Sequence, residues 1–142
     1  MLQQGNCKNA FCNATLPEDK ITVIRPSTGD PAFQSDEYWL VRKTLYGLRR
    51  SPKHWHNMIT SILQEMGLSA SPHDPCLYSG IIHSDNKSLS ERKEINVGLY
   101  VHDFVFFSTS QAEEDLFQKV LATHIKADFM GDADHFLGTA FT

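Results

Sequence analysis

The chain has 142 residues, a formal net charge of -4 and 21% charged residues, an ordinary globular balance that excludes a polycationic protein. It is long enough for one domain, and no apolar run reaches the roughly 18 residues of a transmembrane helix, so we expect no membrane partner. The N-terminus lacks a signal-peptide pattern, and three cysteines do not make a disulfide framework. We therefore expect a cytoplasmic or nuclear protein that is not secreted.

The first part of the chain predicts short strands separated by turns. A short strand is expected at Asn6–Cys12, before a turn at Asn13. β-branched residues favour a strand at Ile21–Arg25, and alternation favours one at Glu37–Lys43. Residues 26–36 lie between the second and third of these strands and contain two prolines and one glycine, which is typical of a loop.

A helix follows, and its two ends carry clear signals. Ser51 is the expected N-cap, Pro52 occupies the first helical position, and Gly67 ends the helix. Apolar residues recur at helical spacing between these ends and predict one buried stripe. The stripe consists of Trp55, Met58, Ile59, Ile62, Leu63 and Met66.

The second half of the chain contains its most apolar stretch. That stretch predicts two strands, Ile95–Val101 and Phe104–Ser108, joined at the polar pair His102–Asp103. Another strand is expected at Cys76–Ile82, after a turn at residues 69–75. Residues 83–94 contain one apolar residue in twelve, so we expect an exposed loop there.

The last part of the chain predicts a second helix and two more strands. Ser110 and Glu113 have the spacing of a capping box, and the helix is expected to end near Ile125. Strands are expected at Ala127–Met130 and Phe136–Phe141. The complete pattern predicts a single α+β domain over residues 1–142, with a mostly antiparallel sheet and two helices packed on one face.

Four segments together resemble the reverse transcriptase of copia-type LTR retrotransposons. They are Gln4–Phe11 (QGNCKNAF), Leu45–Trp55 (LYGLRRSPKHW), Asp74–Tyr78 (DPCLY) and Tyr100–Asp103 (YVHD). The corresponding family patterns are Q-x-D-V-K-x-A-F, L-Y-G-L-[KR]-[QR]-S-P-x-x-W, D-x-C-L-Y and Y-V-D-D. The resemblance implies a polymerase palm domain, and we expect a fragment in which the fingers, thumb and ribonuclease H regions are missing.

The resemblance also implies a metal site, from which this chain departs. In the family, three aspartates hold two Mg²⁺ ions that assist nucleotidyl transfer. Asn6 and His102 stand where two of those aspartates are expected, and Asp103 is the one retained as a catalytic and metal-binding position. An amide oxygen is a weak ligand, and an imidazole suits zinc or copper better than magnesium. We therefore expect no stable Mg²⁺ binding and no polymerase activity.

Other positions match the family's nucleotide and template contacts. Phe11 matches the aromatic residue beneath the incoming sugar, although it also fits an ordinary core position. Tyr46 and Gly47 match the segment over the template–nucleotide pair, which implies nucleotide binding. The resemblance further implies weak, salt-sensitive binding of an RNA or DNA template–primer. The residues expected to contact its phosphates are Arg49, Arg50 and Lys53.

Two alternatives to an inactive remnant remain open. The chain fits a non-catalytic nucleic-acid-binding or protein-interaction module on a palm scaffold, which a salt-dependent nucleic-acid titration would detect. It also fits an enzyme of another class that uses His102 and Asp103 as a general base pair or a new metal site. Adjacent turn residues point in different directions, which weighs against the second alternative. An exposed sheet edge would favour self-association.

Overall fold

A computed structural model describes residues 1–29, 36–83 and 93–141 and gives an α+β fold. The helices in these ranges are α1 (Ala10–Asn13), α2 (Ser51–Glu65) and α3 (Gln111–His124). The strands are β1 (Gln3–Cys7), β2 (Thr22–Ile24), β3 (Trp39–Val41), β4 (Leu68–Ala70), β5 (Leu77–Gly80), β6 (Ile95–Tyr100), β7 (Asp103–Ser108), β8 (Ala127–Asp132), β9 (His135–Phe136) and β10 (Thr139–Ala140). None of the described helices is long and apolar enough to cross a membrane.

Six of the strands form one sheet in the order β4-β5-β6-β7-β1-β8, and every neighbouring pair is antiparallel. The N-terminal strand β1 therefore lies between β7 and β8, two strands that are distant from it in sequence. Two small sheets, β2-β3 and β9-β10, complete the described strands. The predicted mostly antiparallel sheet is confirmed.

The core lies on the face of the sheet that α2 and α3 cover. Side chains at alternate positions of β6 and β7 point into it, as the period of a half-buried strand requires. The buried apolar residues of these four elements are Trp55, Ile59, Ile62, Leu63, Ile95, Val97, Leu99, Phe104, Phe106, Phe117 and Leu121. The apolar stripe predicted from Trp55 to Met66, on α2 and just after it, is thus confirmed, because Met58 packs against this cluster and Met66 belongs to it.

The prediction of a strand at Asn6–Cys12 was wrong. The strand ends at Cys7, and the short helix α1 follows it, so the described ranges contain three helices where two were expected. Asn9 adopts a left-handed conformation (φ 49°), which turns the chain out of the strand. The side-chain amide of Asn13 then donates to the carbonyl oxygens of Lys8 and Asn9, which stabilises the helical turn.

The helix ends and the central turn also differ in detail from the predictions. Arg50 is the N-cap of α2, while Ser51 is the first helical residue and donates its hydroxyl to the carbonyl oxygen of Leu45. Ser110 is the N-cap of α3, but its side chain makes no capping hydrogen bond, so the capping box does not form. Gly67 (φ 99°) follows α2 as expected. The turn between β6 and β7 consists of Val101 and His102, because Asp103 already pairs with Tyr100.

Several shorter elements depart from the sequence prediction. The predicted strands Ile21–Arg25 and Glu37–Lys43 exist as β2 and β3, which pair with each other outside the main sheet. The expected turn at residues 69–75 begins with the edge strand β4. The closing strand at residues 136–141 is a hairpin of β9 and β10. Most of the expected loop at residues 83–94 lies outside the described residues.

Candidate functional site

The centre of the candidate site is the junction of β1 with the β6–β7 hairpin. Asn6 of β1 lies directly opposite Asp103, the first residue of β7, in the antiparallel register. Directly opposed residues of such a pair project from the same face of a sheet. The side-chain amide of Asn6 donates from Nδ2 to Oδ1 of Asp103 at 2.6 Å. The structure therefore joins two of the three predicted metal-site positions by a hydrogen bond.

His102 completes this group of three. Its Nε2 atom lies 3.9 Å from Oδ2 of Asp103, and the two side chains are 42% and 44% exposed. The other ring nitrogen, Nδ1, is buried and has no hydrogen-bond partner among the described residues. The backbone oxygen of His102 accepts a hydrogen bond from the amide of Cys7 at 2.7 Å, which links the turn to β1.

The charges around the Asn6–Asp103 pair come from both flanking strands. Asp128 of β8 lies opposite Asn6 on the other side of β1, and its carboxylate forms an ion pair with Lys8 at 2.8 Å. The thiol of Cys7 is buried beside this row. Burial, with a smaller contribution from the charge of Asp103, raises the pKa of that thiol from 9.0 to about 12. Cys7 is therefore a neutral thiol at physiological pH.

These donors do not fit a pair of Mg²⁺ ions. Magnesium requires several oxygen ligands in near-octahedral geometry. The row holds two carboxylates, and one oxygen of Asp103 already accepts the amide N–H of Asn6, while Asp128 is paired with Lys8. His102 supplies a nitrogen ligand. No group of three or more His, Cys, Asp or Glu side chains within the described ranges is arranged to hold a metal ion.

The aromatic side chains predicted to bind a nucleotide do meet. The rings of Phe11 and Tyr46 lie 4.9 Å apart at an angle of 58°, and the Tyr46 side chain is 57% exposed. The buried side chain of Thr44 donates to the backbone oxygen of Phe11, and its backbone amide donates to the oxygen of Ala14 at 2.9 Å. These bonds hold the segment that carries Tyr46 against the end of α1. Gly47 (φ 91°) turns the exposed loop that follows.

A cleft connects Phe11 to the hairpin turn. It encloses about 250 Å³ and is lined mainly by apolar side chains: Phe11, Pro52, Trp55, His56, Cys76, Leu99, Tyr100 and Val101. The sequence predictions placed Phe11 and the hairpin at one site, and residues of both line this cleft. Trp55 was expected only as a core residue, yet its indole N–H donates to the backbone oxygen of Val101. The pattern of apolar spacing gave no signal for that contact.

The predicted phosphate-binding residues lie at the start of α2. Arg49, Arg50 and Lys53 are all exposed, and none of them forms an ion pair in the part of the chain that the structure describes. Arg49 and Arg50 border a second cleft of about 240 Å³ at the beginning of the helix. No described hydrogen bond or ion pair links these cations to Asn6 or Asp103.

Comparison with known proteins agrees with the motifs. All residues, 1–142, match the family described as reverse transcriptase (RNA-dependent DNA polymerase). The chain is 25% identical over 137 residues to the retrovirus-related Pol polyprotein from transposon TNT 1-94 of Nicotiana tabacum, an alignment that covers 96% of this chain and 10% of that polyprotein. No solved structure matches the chain significantly.

The predicted resemblance is thereby confirmed, and it extends along the whole sequence. The chain spans about a tenth of the length of the polyprotein that it matches, so the comparison concerns one region of that relative. The chain belongs to the reverse transcriptase (RNA-dependent DNA polymerase) family and is similar to the corresponding region of a retrotransposon Pol polyprotein.

Proposed function

We propose that this chain is a reverse-transcriptase palm domain that has lost two-metal catalysis. The observation that carries the proposal is the 2.6 Å hydrogen bond from Asn6 Nδ2 to Asp103 Oδ1. An N–H donor faces the retained carboxylate where the family has a second carboxylate. The amide satisfies Asp103 without a cation, so Mg²⁺ would have to displace an existing contact and would gain little negative charge in return.

The chemistry of the donors supports the same conclusion. Two divalent cations held close together repel each other strongly, and the family's aspartates offset that repulsion with their charge. Replacement by Asn6 and His102 removes two negative charges and leaves Asp103 as the single carboxylate among the three family positions. A neutral imidazole is a good ligand for zinc or copper and a poor one for magnesium. Nucleotidyl transfer by the two-metal route is therefore not expected.

Calorimetry of Mg²⁺ binding tests this proposal. The wild-type protein should show no binding heat at millimolar Mg²⁺, whereas the double variant Asn6→Asp, His102→Asp should bind. A matched control makes the same two chemical changes at exposed neighbouring positions of α2, His56→Asp and Asn57→Asp, and should not bind. Binding by the wild-type protein, or equal binding by the control, would contradict the loss of the metal site.

A second candidate function is non-catalytic binding of single-stranded or double-stranded nucleic acid. It is favoured by the exposed cations Arg49, Arg50 and Lys53, which follow the exposed Tyr46 closely in the sequence. Cations contact phosphates, and an exposed aromatic ring offers a stacking surface for a base. The absence of ion pairs to these cations within the described part of the chain leaves them available to phosphates.

A titration with a fluorescent oligonucleotide at several salt concentrations tests this second function. We expect micromolar or weaker affinity, and Arg49→Gln with Arg50→Gln should reduce the salt slope by about 0.7 per lost contact on a single strand. The control pair Lys119→Gln, Lys126→Gln removes equal charge from exposed positions elsewhere. If the two pairs of variants change the slope equally, the start of α2 is not a binding surface. If no binding occurs at low salt, the protein-interaction alternative is favoured.

A further inference from the structure

The turn that precedes Asp103 has an unfavourable backbone. It contains two residues, Val101 and His102, between the paired positions Tyr100 and Asp103. Val101 has a positive φ of 53°, and His102 is not among the described residues with positive φ. A positive φ at the first central position is the sign pattern of a type II′ hairpin turn, where glycine is preferred. A β-branched residue in that conformation is a true outlier.

The side chain of Val101 does not offset this strain by packing. It is 41% exposed, whereas alternate residues of the preceding strand are buried. Tight packing is the usual way in which a fold stabilises an unfavourable backbone conformation. The stabilisation must therefore come from contacts of the backbone itself.

Two N–H groups from outside the hairpin supply those contacts. The indole N–H of Trp55 donates to the backbone oxygen of Val101, and the backbone amide of Cys7 donates to the oxygen of His102 at 2.7 Å. Both carbonyl groups of the turn are thus bound, one from α2 and one from β1. A two-residue turn in another conformation would direct the carbonyl of Val101 elsewhere and leave the indole N–H unpaired.

The burial of Trp55 makes that loss costly. Trp55 is 1% exposed, and a buried indole N–H without a partner carries its full desolvation penalty. The packing of the indole ring against the core fixes its position on α2. The hydrogen bond from Trp55 therefore favours one conformation of the Val101–His102 turn, which is remote from Trp55 in sequence. Packing of the indole ring alone would not favour one conformation of the turn over another.

We propose that Trp55 is a positioning residue that holds the Val101–His102 turn in its strained conformation and so keeps Asp103 in register with Asn6. The inference rests on the proposed function because it takes the Asn6–Asp103 junction as the functional site. What it adds is the cause of the conformation of the turn. The indole N–H binds the backbone oxygen of Val101, and the turn held in this way fixes Asp103 as the first residue of β7. The register of β7 with β1 then brings the side chains of Asp103 and Asn6 together.

Hydrogen exchange followed by NMR tests this role through the Cys7 amide, which binds the turn directly. Trp55→Phe keeps an aromatic ring in the core and deletes the N–H. In the folded variant, the exchange of the Cys7 amide should accelerate about tenfold relative to core amides of α2, and the side-chain amide signals of Asn6 should lose their hydrogen-bonded shift. Addition of Val101→Gly should restore both signals, because glycine adopts the turn without strain.

A matched control deletes a different buried hydrogen bond from the same core. Tyr78 is 2% exposed, and its hydroxyl is 2.9 Å from Oγ1 of Thr60. Tyr78→Phe should lower global stability without changing the Cys7 or Asn6 signals selectively. Unchanged signals in folded Trp55→Phe, or equal changes in Tyr78→Phe, would overturn the proposal.

The wild-type protein provides a second measurement if Trp55→Phe does not fold. The chain has two tryptophans, and Trp39 is 43% exposed. The Trp55 indole proton should exchange as slowly as the Cys7 amide, and the single variant Val101→Gly should leave Cys7 protected. Exchange of the Trp55 indole as fast as that of Trp39 would refute the role. These readouts involve no metal, so they are independent of the Mg²⁺ calorimetry that tests the proposed function.

Discussion

The Asn6–Asp103 hydrogen bond makes a direct prediction about stability. Asn6→Asp replaces the donating amide with a second carboxylate at the same position. The new side chain has almost the same size, and β1 is expected to stay intact. The change is therefore almost purely electrostatic. Above pH 6 and without divalent cations, we expect the variant to be clearly less stable than the wild-type protein.

The size of the effect follows from the contact. A hydrogen bond to a charged group contributes about 1.5–3 kcal/mol, and this one is lost. Two like charges about 4 Å apart repel by about 4 kcal/mol at an effective dielectric constant near 20. The side chain of Asp103 is 44% exposed, so solvent screening reduces that repulsion by roughly half. The lost hydrogen bond and the remaining repulsion of about 2 kcal/mol together give an expected net destabilisation of about 3.5–5 kcal/mol.

Urea denaturation at pH 8 in the presence of a chelator measures the difference, with Asn57→Asp on the exposed surface of α2 as the control. The destabilisation should shrink as the pH is lowered toward 4, because one carboxyl group of the close pair then takes up a proton. An Asn6→Asp midpoint equal to that of the control at pH 8 would show that the hydrogen bond has no energetic weight. A pH-independent loss would refute the electrostatic explanation.

Four further predictions concern the surrounding structure. Gly5→Ala should destabilise the sheet by about 2 kcal/mol or more in thermal unfolding, because the new Cβ would lie 2.4 Å from the ring of Phe104. Glu114→Gln should cost about 1–3 kcal/mol in urea denaturation, since the two oxygens of the buried carboxylate accept the Ser108 amide at 2.9 Å and the Gln3 side-chain amide at 3.0 Å, and a glutamine side chain can accept only one of these bonds. Cys7 should resist alkylation at pH 8, as peptide mass spectrometry would show, while the other two cysteines, which are half-buried, react first. Because its folded pKa of about 12 exceeds its usual 9.0, stability should fall as the pH rises from 9.0 to 12.

The elements that the sequence predicted well have local signals. The α2 stripe repeats at helical spacing, and the strands of the hairpin are apolar runs bounded by polar residues. The sequence pattern missed α1, because that helix has only four residues and depends on the left-handed turn at Asn9. Ser110 and Glu113 illustrate the opposite error. Their spacing suggested a capping box, but Glu113 is buried in line with Phe117 and Leu121 and does not reach back to the cap.

The candidate site itself was accessible only in part. The motifs indicated that Asn6, His102 and Asp103 belong to one site, whereas residue spacing alone could not, because 97 residues separate Asn6 from Asp103. The direction of the contact, with the Asn6 amide donating to the carboxylate, required the register of β1 with β7. The role inferred for Trp55 depends on a single N–H bond and on the φ angle of Val101, and neither leaves a trace in the pattern of apolar residues.

The position of β1 between β7 and β8 has a consequence for the order in which the protein folds. The hairpin of β6 and β7 closes a short loop, whereas Asn6 reaches its partner across 97 residues. Closure of a long loop has a higher entropic cost and slows folding. We therefore expect the β4-β5-β6-β7 ladder to form first and the N-terminal strand to dock late. The junction that contains Asn6 and Asp103 would then be among the last parts of the chain to gain protection during refolding, and the first to lose it when the sheet opens.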